Sequence, residues 1–489
     1  MISAAGRLVM VSIEGRALDS ARRAFLREHG IRAVVLFRDN LGDEASVRDL
    51  VADLRATLGP RALIAIDQEG GAVVRATFLP QPPAAMALGA AGDPELAQRV
   101  GAAVARGLRF LGFNWNFAPV LDVNNNPANP VIAERSFGAE PEAVARLAGA
   151  WMRGALGEGV ACCVKHFPGH GDTHVDSHLD LPVVDKPRAA LDALELAPFR
   201  ALRDEAPATM TAHIVYPRVD PEYPATLSRA ILHGILRKQW HYDGVVITDS
   251  LLMKAVGDRY GHARASVRAL HAGADMVMAL GSQDEQARAV EAIRAAIEAG
   301  ELDANALERA CARLDALATR YPAEPREYEP AARHEDDTLM RAAWARGLTA
   351  LRGASAPPRD RPLRVVTQRD VPSNGISEAG VASDAVAALF RAFADVQIER
   401  VDDLATFDLA RLPRDGRMVV LASNARARYA VARGSPPDLH LVLWNPFQAL
   451  DFEAPTVVTY GYADGALDAL RAWLEGRASA RARAPVPLG

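Results

Sequence analysis

The chain has 489 residues, which excludes a single small binding module and leaves room for two domains or one large barrel with an appendage. Its 56 Lys and Arg against 61 Asp and Glu give a net charge of -5, so no basic field draws it to nucleic acid. Hydrophobic residues at 49% and charged residues at 24% exclude a disordered chain. Cys162, Cys163 and Cys311 are too few for a disulfide framework or a thiolate metal cage and point to a reducing compartment. The opening MISAAGRLVMVSIEGR has no basic segment leading into an unbroken apolar run. No stretch of about 18 apolar residues follows. These features predict a cytoplasmic protein with no membrane partner.

Eight short apolar or β-branched runs then alternate with helical stretches. They are LVMVSIE (8–14), AVVLF (33–37), ALIAID (62–67), FNWNFAP (113–119), ACCVKHF (161–167), ATMTAHI (208–214), GVVITDS (244–250) and DMVMAL (275–280). Each is separated from the next by enough chain for a crossover helix. Helices at 46–59, 94–112 and 141–159 end at Gly, and the last two begin at Pro94 and Pro141. Eight βα units predict an α/β fold built on a closed TIM-like (β/α)8 barrel at 1–321. After helices at 284–300 and 305–321, the Pro-rich and charged segment 322–361 predicts a linker carrying one helix at about 337–351. Strand-like runs at 363–368, 396–401, 418–423, 439–446 and 455–462, with helices at 385–394 and 466–476, predict a smaller C-terminal α/β domain at 362–489. The tail RASARARAPVPLG is expected to fray.

In a parallel barrel the active site lies where the strands end. Asp67 ends the third run, Asp122 follows the fourth, Lys165 and His166 end the fifth, His213 the sixth and Asp249 the seventh. One Asp after a strand is ordinarily a turn or helix cap. Ionisable groups at the ends of five strands on one rim point to chemistry instead. The loop KHFPGHGDTHVDSHLDLP (165–182) places His166, His170, His174 and His178 four apart, which on a helix would align imidazoles for a metal. Pro168, Gly169 and Gly171 break that helix, so no metal site and no cofactor are expected. Asp176 and His178, two apart in extended chain, share one side, so the carboxylate can orient the imidazole for proton transfer.

The segments IDQEGG (66–71), FAPVLDVNNNP (117–127), NPVIAERSFG (129–138), KHFPGHGDT with DSH (165–178) and GVVITDSLLM (244–253) resemble, in order and spacing, the bacterial β-N-acetylhexosaminidases of glycoside hydrolase family 3. The resemblance covers about residues 1–320. It implies Asp249 as nucleophile, His178 as general acid/base and Asp176 as its partner. It further implies that Asp67, Arg75, Arg135, Lys165 and His166 hold the sugar. From the residues alone, Arg135 could equally anchor its loop through a structural ion pair. Ser250, Ala72 and Ala133 depart from the commonest family pattern, where Asp, Arg and Gly stand. The expected domain for catalysis is the barrel, with no catalytic residue in the C-terminal domain.

The implied activity is retaining exo-hydrolysis of terminal β-linked N-acetylglucosamine, as from cell-wall muropeptide fragments, with a small carbohydrate as partner. A phosphorylase on the same fold is the alternative, because a His acid/base repels phosphate less than a carboxylate would. A β-glucosidase, a metal-dependent hydrolase and a silent sugar-binding regulator are further readings. Oligomeric state, aglycone and acceptor are left open by the sequence.

Overall fold

The computed structural model describes residues 4–175, 180–373, 377–413, 415–429 and 436–489. Eight parallel strands close a barrel: β1 (Val9–Ser12), β2 (Ala33–Leu36), β3 (Leu63–Ile66), β4 (Trp115–Asn116), β5 (Ala161–Phe167), β6 (Ala208–Thr211), β7 (Val245–Ser250) and β8 (Met276–Met278). Each pairs with its sequence neighbours, and β8 returns to β1. The strands are mostly apolar because both faces are covered, the inner by the packed barrel interior and the outer by helices. All seven residues of β5 are buried, including Lys165 and His166 at its mouth end.

The helices start where the sequence supplies caps. Asp93 accepts from Glu95 N and Leu96 N ahead of helix Pro94–Leu111, and Ser282 with Glu285 forms a capping box ahead of helix Gln283–Glu298. Helices Pro94–Leu111 and Pro141–Gly157 touch backbone to backbone. A Cβ on Gly101 would meet the Trp151 carbonyl at 2.0 Å, and one on Gly154 would meet the Gln98 carbonyl at 1.9 Å. Only glycine permits that approach.

The expected fourth run, 113–119, contracts to a two-residue strand. Asn114 Oδ1 accepts from Ile64 N at 2.8 Å, and Asn116 bonds both backbone groups of Gln68. Side chains thus replace ladder bonds, and Pro119 has none to donate.

The second sheet holds β9 (Thr349–Leu351), β10 (Leu363–Gln368), β11 (Val396–Val401), β12 (Met418–Ser423), β13 (Leu439–Val442) and β14 (Thr456–Val458). Its order is β9-β14-β13-β12-β10-β11, with β9 antiparallel and the rest parallel. The linker segment therefore contains an edge strand of this sheet. Its helix begins earlier than expected, spanning Pro330–Gly347 with Pro330 in the first turn. The tail does not fray: Ala139 donates to the Pro485 carbonyl at 3.0 Å, and Val486 and Leu488 are buried against the barrel side. Its two apolar side chains supply burial that its charged stretch conceals in the sequence. Among the described residues no helix is long and apolar enough to cross a membrane.

Candidate active site

The C-terminal ends of the strands surround a cavity of about 450 Å³ lined by Asp67, Arg75, Arg135, Lys165, His166 and Asp249. All five residues expected to hold sugar thus meet the expected nucleophile. Asp67 directly follows β3, Lys165 and His166 sit on β5, and Asp249 lies on β7. Arg75 follows a two-stranded hairpin, Gln68–Gly70 with Val73–Val74. The buried Gln68 Oε1 accepts from Arg75 N at 3.0 Å and Ala76 N at 3.1 Å, which fixes where Arg75 leaves the backbone. The hairpin tip needs its glycines: a Cβ on Gly70, at φ +120°, would lie 2.2 Å from the Pro83 carbonyl.

Charge compensation organises the floor. Glu69 takes Arg135 in a two-pronged pair, Nε to Oε2 at 2.9 Å and Nη2 to Oε1 at 2.8 Å, and also takes Lys165 Nζ at 2.6 Å. Lys165 Nζ reaches Asp67 Oδ1 at 2.6 Å as well. Burial opposes charge on Glu69, but Arg135 and Lys165 outweigh it and hold the carboxyl well below its ordinary range. Burial likewise opposes charge on Lys165, and Asp67 and Glu69 outweigh it and keep the ammonium protonated. Arg135 therefore makes the structural ion pair that the residues alone allowed, while also lining the cavity.

His166 is oriented by the fully buried Asp122. Its Nδ1 donates to Asp122 Oδ2 at 2.7 Å, and the other carboxylate oxygen accepts from the backbone of His166 at 3.1 Å and His170 at 2.6 Å. Burial would raise the Asp122 carboxyl, but His166 and these donors hold it down. The network assigns the proton to Nδ1, leaving Nε2 to accept from Arg135 Nη2 at 3.4 Å. His170, also lining the cavity, is pushed down to about 4 by burial and by His166, so it is neutral near pH 7. Its Nδ1 pairs with Thr173 Oγ1 at 2.9 Å, and His174 lies against Asn126 Nδ2. Three of the four His at that spacing thus serve local contacts, His166 and His170 around Asp122 and His174 against Asn126, and His178 lies outside the described residues.

Asp249 Oδ1 accepts from Ser250 N at 2.7 Å, and the Ser250 carbonyl accepts from the buried His213 Nε2 at 2.9 Å. His213 therefore steadies the turn that presents Asp249. Asp176 and His178 lie outside the described residues. Before them, Asp172 Oδ2 is held by Lys186 Nζ at 2.7 Å, and Lys186 also pairs with buried Glu195. Ala133 adopts φ 40°, a left-handed backbone that explains why Gly is common there in the resembling family.

The second domain, where no catalytic residue was expected, reaches the residues of this site. Glu378 Oε1 accepts from Arg75 Nη1 at 2.8 Å, and Glu378 N donates to the Ala72 carbonyl at 2.9 Å. Trp444 Nε1 donates to buried Glu134, the neighbour of Arg135, at 2.7 Å. Sequence reasoning missed Glu69, His170, Glu134 and Glu378. Glu69 was within reach of it, because three cations in one pocket require more carboxylate than Asp67 and Asp249 provide, and IDQEGG supplies one.

Residues 3–317 match the family described as Glycosyl hydrolase family 3 N terminal domain. The chain belongs to glycoside hydrolase family 3. This family 3 enzyme is 38% identical over 281 residues to the beta-hexosaminidase of Alkalilimnicola ehrlichii, covering 55% of this chain and 79% of that protein. It is 37% identical over 273 residues to the beta-hexosaminidase of Pseudomonas aeruginosa, covering 55% and 80%. A solved family 3 beta-N-acetylglucosaminidase from Paenibacillus sp. str. FPU-7 superposes with a TM-score of 0.89 at 34% identity, covering 100% of this chain and 99% of that one. NagZ from Neisseria gonorrhoeae, solved with N-trifluoroacetyl-D-glucosamine, gives 0.54 at 31% identity, covering 64% of this chain and 98% of NagZ.

Proposed function

We propose that this glycoside hydrolase is a retaining exo-β-N-acetylglucosaminidase that removes terminal β-linked N-acetylglucosamine from small glycoconjugates such as cell-wall muropeptide fragments in the cytoplasm. The observation that carries this is the convergence of Asp249 with Asp67, Arg75, Arg135, Lys165 and His166 on one cavity. Its volume of about 450 Å³ lies toward the small end of ligand pockets, about 300–1,000 Å³, which suits one sugar ring better than a chain. The hexosaminidase names of the relatives support the acetamido sugar.

In the proposed mechanism Asp249 attacks the anomeric carbon while His178, oriented by Asp176, donates a proton to the departing oxygen. His178 then takes a proton from water as it displaces the Asp249 ester. Positive charge builds on the ring in both transition states, and the carboxylate of Asp249 meets it. Arg75, Arg135 and Lys165 donate charge-assisted bonds to hydroxyl and acetamido oxygens. They can do so without leaving unpaired charge behind, because Glu69, Asp67 and Glu378 already balance them.

The test is turnover of aryl β-N-acetylglucosaminide and aryl β-glucoside by chelator-treated protein, with and without phosphate, with the sugar product identified. Free N-acetylglucosamine in both buffers is the expected result. Sugar 1-phosphate in phosphate buffer would replace hydrolysis by phosphorolysis. Faster turnover of the glucoside would overturn the acetamido assignment.

A further inference from the structure

The parallel strands of the second sheet run β11-β10-β12-β13-β14, so the order reverses beside β10. In doubly wound sheets of this order the crevice at that reversal, outside the carboxyl ends of β10 and β12, ordinarily holds a ligand. Here the chain itself occupies it. Asn424, which follows β12 and is fully buried, donates from Nδ2 to the carbonyls of Gln368 and Val381, both at 2.8 Å, and accepts from Gln368 N at 3.0 Å. These bonds stitch the two ends of the 369–382 loop across the crevice. Gly380 N donates to the Val371 carbonyl at 3.0 Å, and a Cβ on Gly380 would lie 2.7 Å from Val371 Cγ1 and 2.9 Å from the Trp444 ring. The described parts of the loop, 369–373 and 377–382, are thus tied to their own domain, and Glu378 extends from the second of them to the barrel.

At the barrel, Glu378 meets an arginine whose guanidinium has little else to hold it. Among the described residues Glu378 is the hydrogen-bonded side-chain partner of that group, and the buried Arg75 Nε has no partner at all. Tyr462, also from the second domain, donates from its hydroxyl to the Glu378 carbonyl at 3.1 Å. The pair is largely shielded, with side-chain exposures of 9% and 20%, so it holds its geometry better than a surface ion pair.

We infer that Glu378 is a positioning residue for substrate binding: the second domain fixes the Arg75 guanidinium and so completes the sugar site of the barrel. This rests on the proposed reading of the cavity as a sugar site. The ligand crevice of the doubly wound sheet is used here to deliver a carboxylate to a neighbouring domain. Removing it frees Arg75 to swing among its rotamers, which weakens ground-state and transition-state binding alike and leaves the bond-breaking groups in place.

The experiment is steady-state kinetics of the full chain on aryl β-N-acetylglucosaminide for Glu378→Ala, Glu378→Gln, Arg75→Ala and the Arg75→Ala/Glu378→Ala double variant, with thermal unfolding midpoints alongside. KM should rise by about tenfold in Glu378→Ala with kcat within about twofold, and less in Glu378→Gln, which keeps an acceptor oxygen. In the Arg75→Ala background the Glu378→Ala change should add nothing further. An unchanged KM, a loss confined to kcat, or losses that multiply in the double variant would overturn the inference. Should Glu378→Ala fail to fold, Glu378→Gln alone and with Arg75→Ala makes the same comparison. If wild-type protein turns over no acetamido substrate, the functional reading fails and the inference with it; normal wild-type turnover with unaffected Glu378 variants removes the inference alone.

Discussion

Replacing Glu69 by Gln tests whether charge compensation, rather than shape alone, holds the cavity floor. The carboxylate sits 2.8 Å from Arg135 Nη2 and 2.6 Å from Lys165 Nζ, and the three side chains are 6%, 6% and 3% exposed. At an effective dielectric constant of about 20, each contact carries a gross attraction of about 6 kcal/mol. Desolvation of the three ions offsets much of this. Removing one member then leaves buried cations short of a partner, at a cost of about 3–5 kcal/mol. Asp67 and Asp122 still face the cations, so the lower half of that range is expected. Urea unfolding at pH 7, followed by tryptophan fluorescence, measures the difference. Because the folded-state carboxyl is held below its ordinary range, its contribution is fully present above the unfolded value of about 4.3 and is lost as pH falls through the folded value. The gap between wild type and variant should therefore be complete at pH 7 and narrow below about pH 4.3. A gap under about 1 kcal/mol at pH 7, the size of an exposed pair, would refute the argument.

Asp249→Ala should abolish glycoside turnover with an unchanged unfolding midpoint, whereas His178→Ala should impair substrates with poor leaving groups far more than activated aryl glycosides; equal loss on both would remove His178 as the acid. His170, pushed down to about 4 by burial and His166, binds its proton more readily unfolded. Stability should therefore fall as pH drops from about 6.5 toward 4, by up to about 3 kcal/mol. His170→Gln should flatten that window in pH-dependent unfolding, and an unaltered slope would assign it to other groups. Trp444→Phe removes the indole N–H that donates to the buried Glu134 carboxylate, leaving that oxygen, among the described residues, only the Arg426 ion pair, and should lower stability by about 1–3 kcal/mol in calorimetry.

The sequence by itself determined the eight-stranded barrel, because βα alternation imposes a parallel sheet with helices outside it and eight units close on themselves. It also determined which residues face the mouth, since Asp67, Lys165, His166 and Asp249 stand at or just past strand ends, where the backbone direction admits one rim. Its motifs placed Arg75 and Arg135 there through family resemblance. Only the tertiary structure decided how those charges are balanced. Glu69 meets Arg135 across 66 residues, and Asp122 sets the His166 tautomer across 44. The part taken by the second domain was invisible for the same reason at greater range. Glu378 and Arg75 lie 303 residues apart, and a carboxylate in a surface-type loop carries no periodic or spacing signal of what it touches. Local propensity is written in neighbouring residues, whereas ion-pair partners are chosen by where folded elements come to rest.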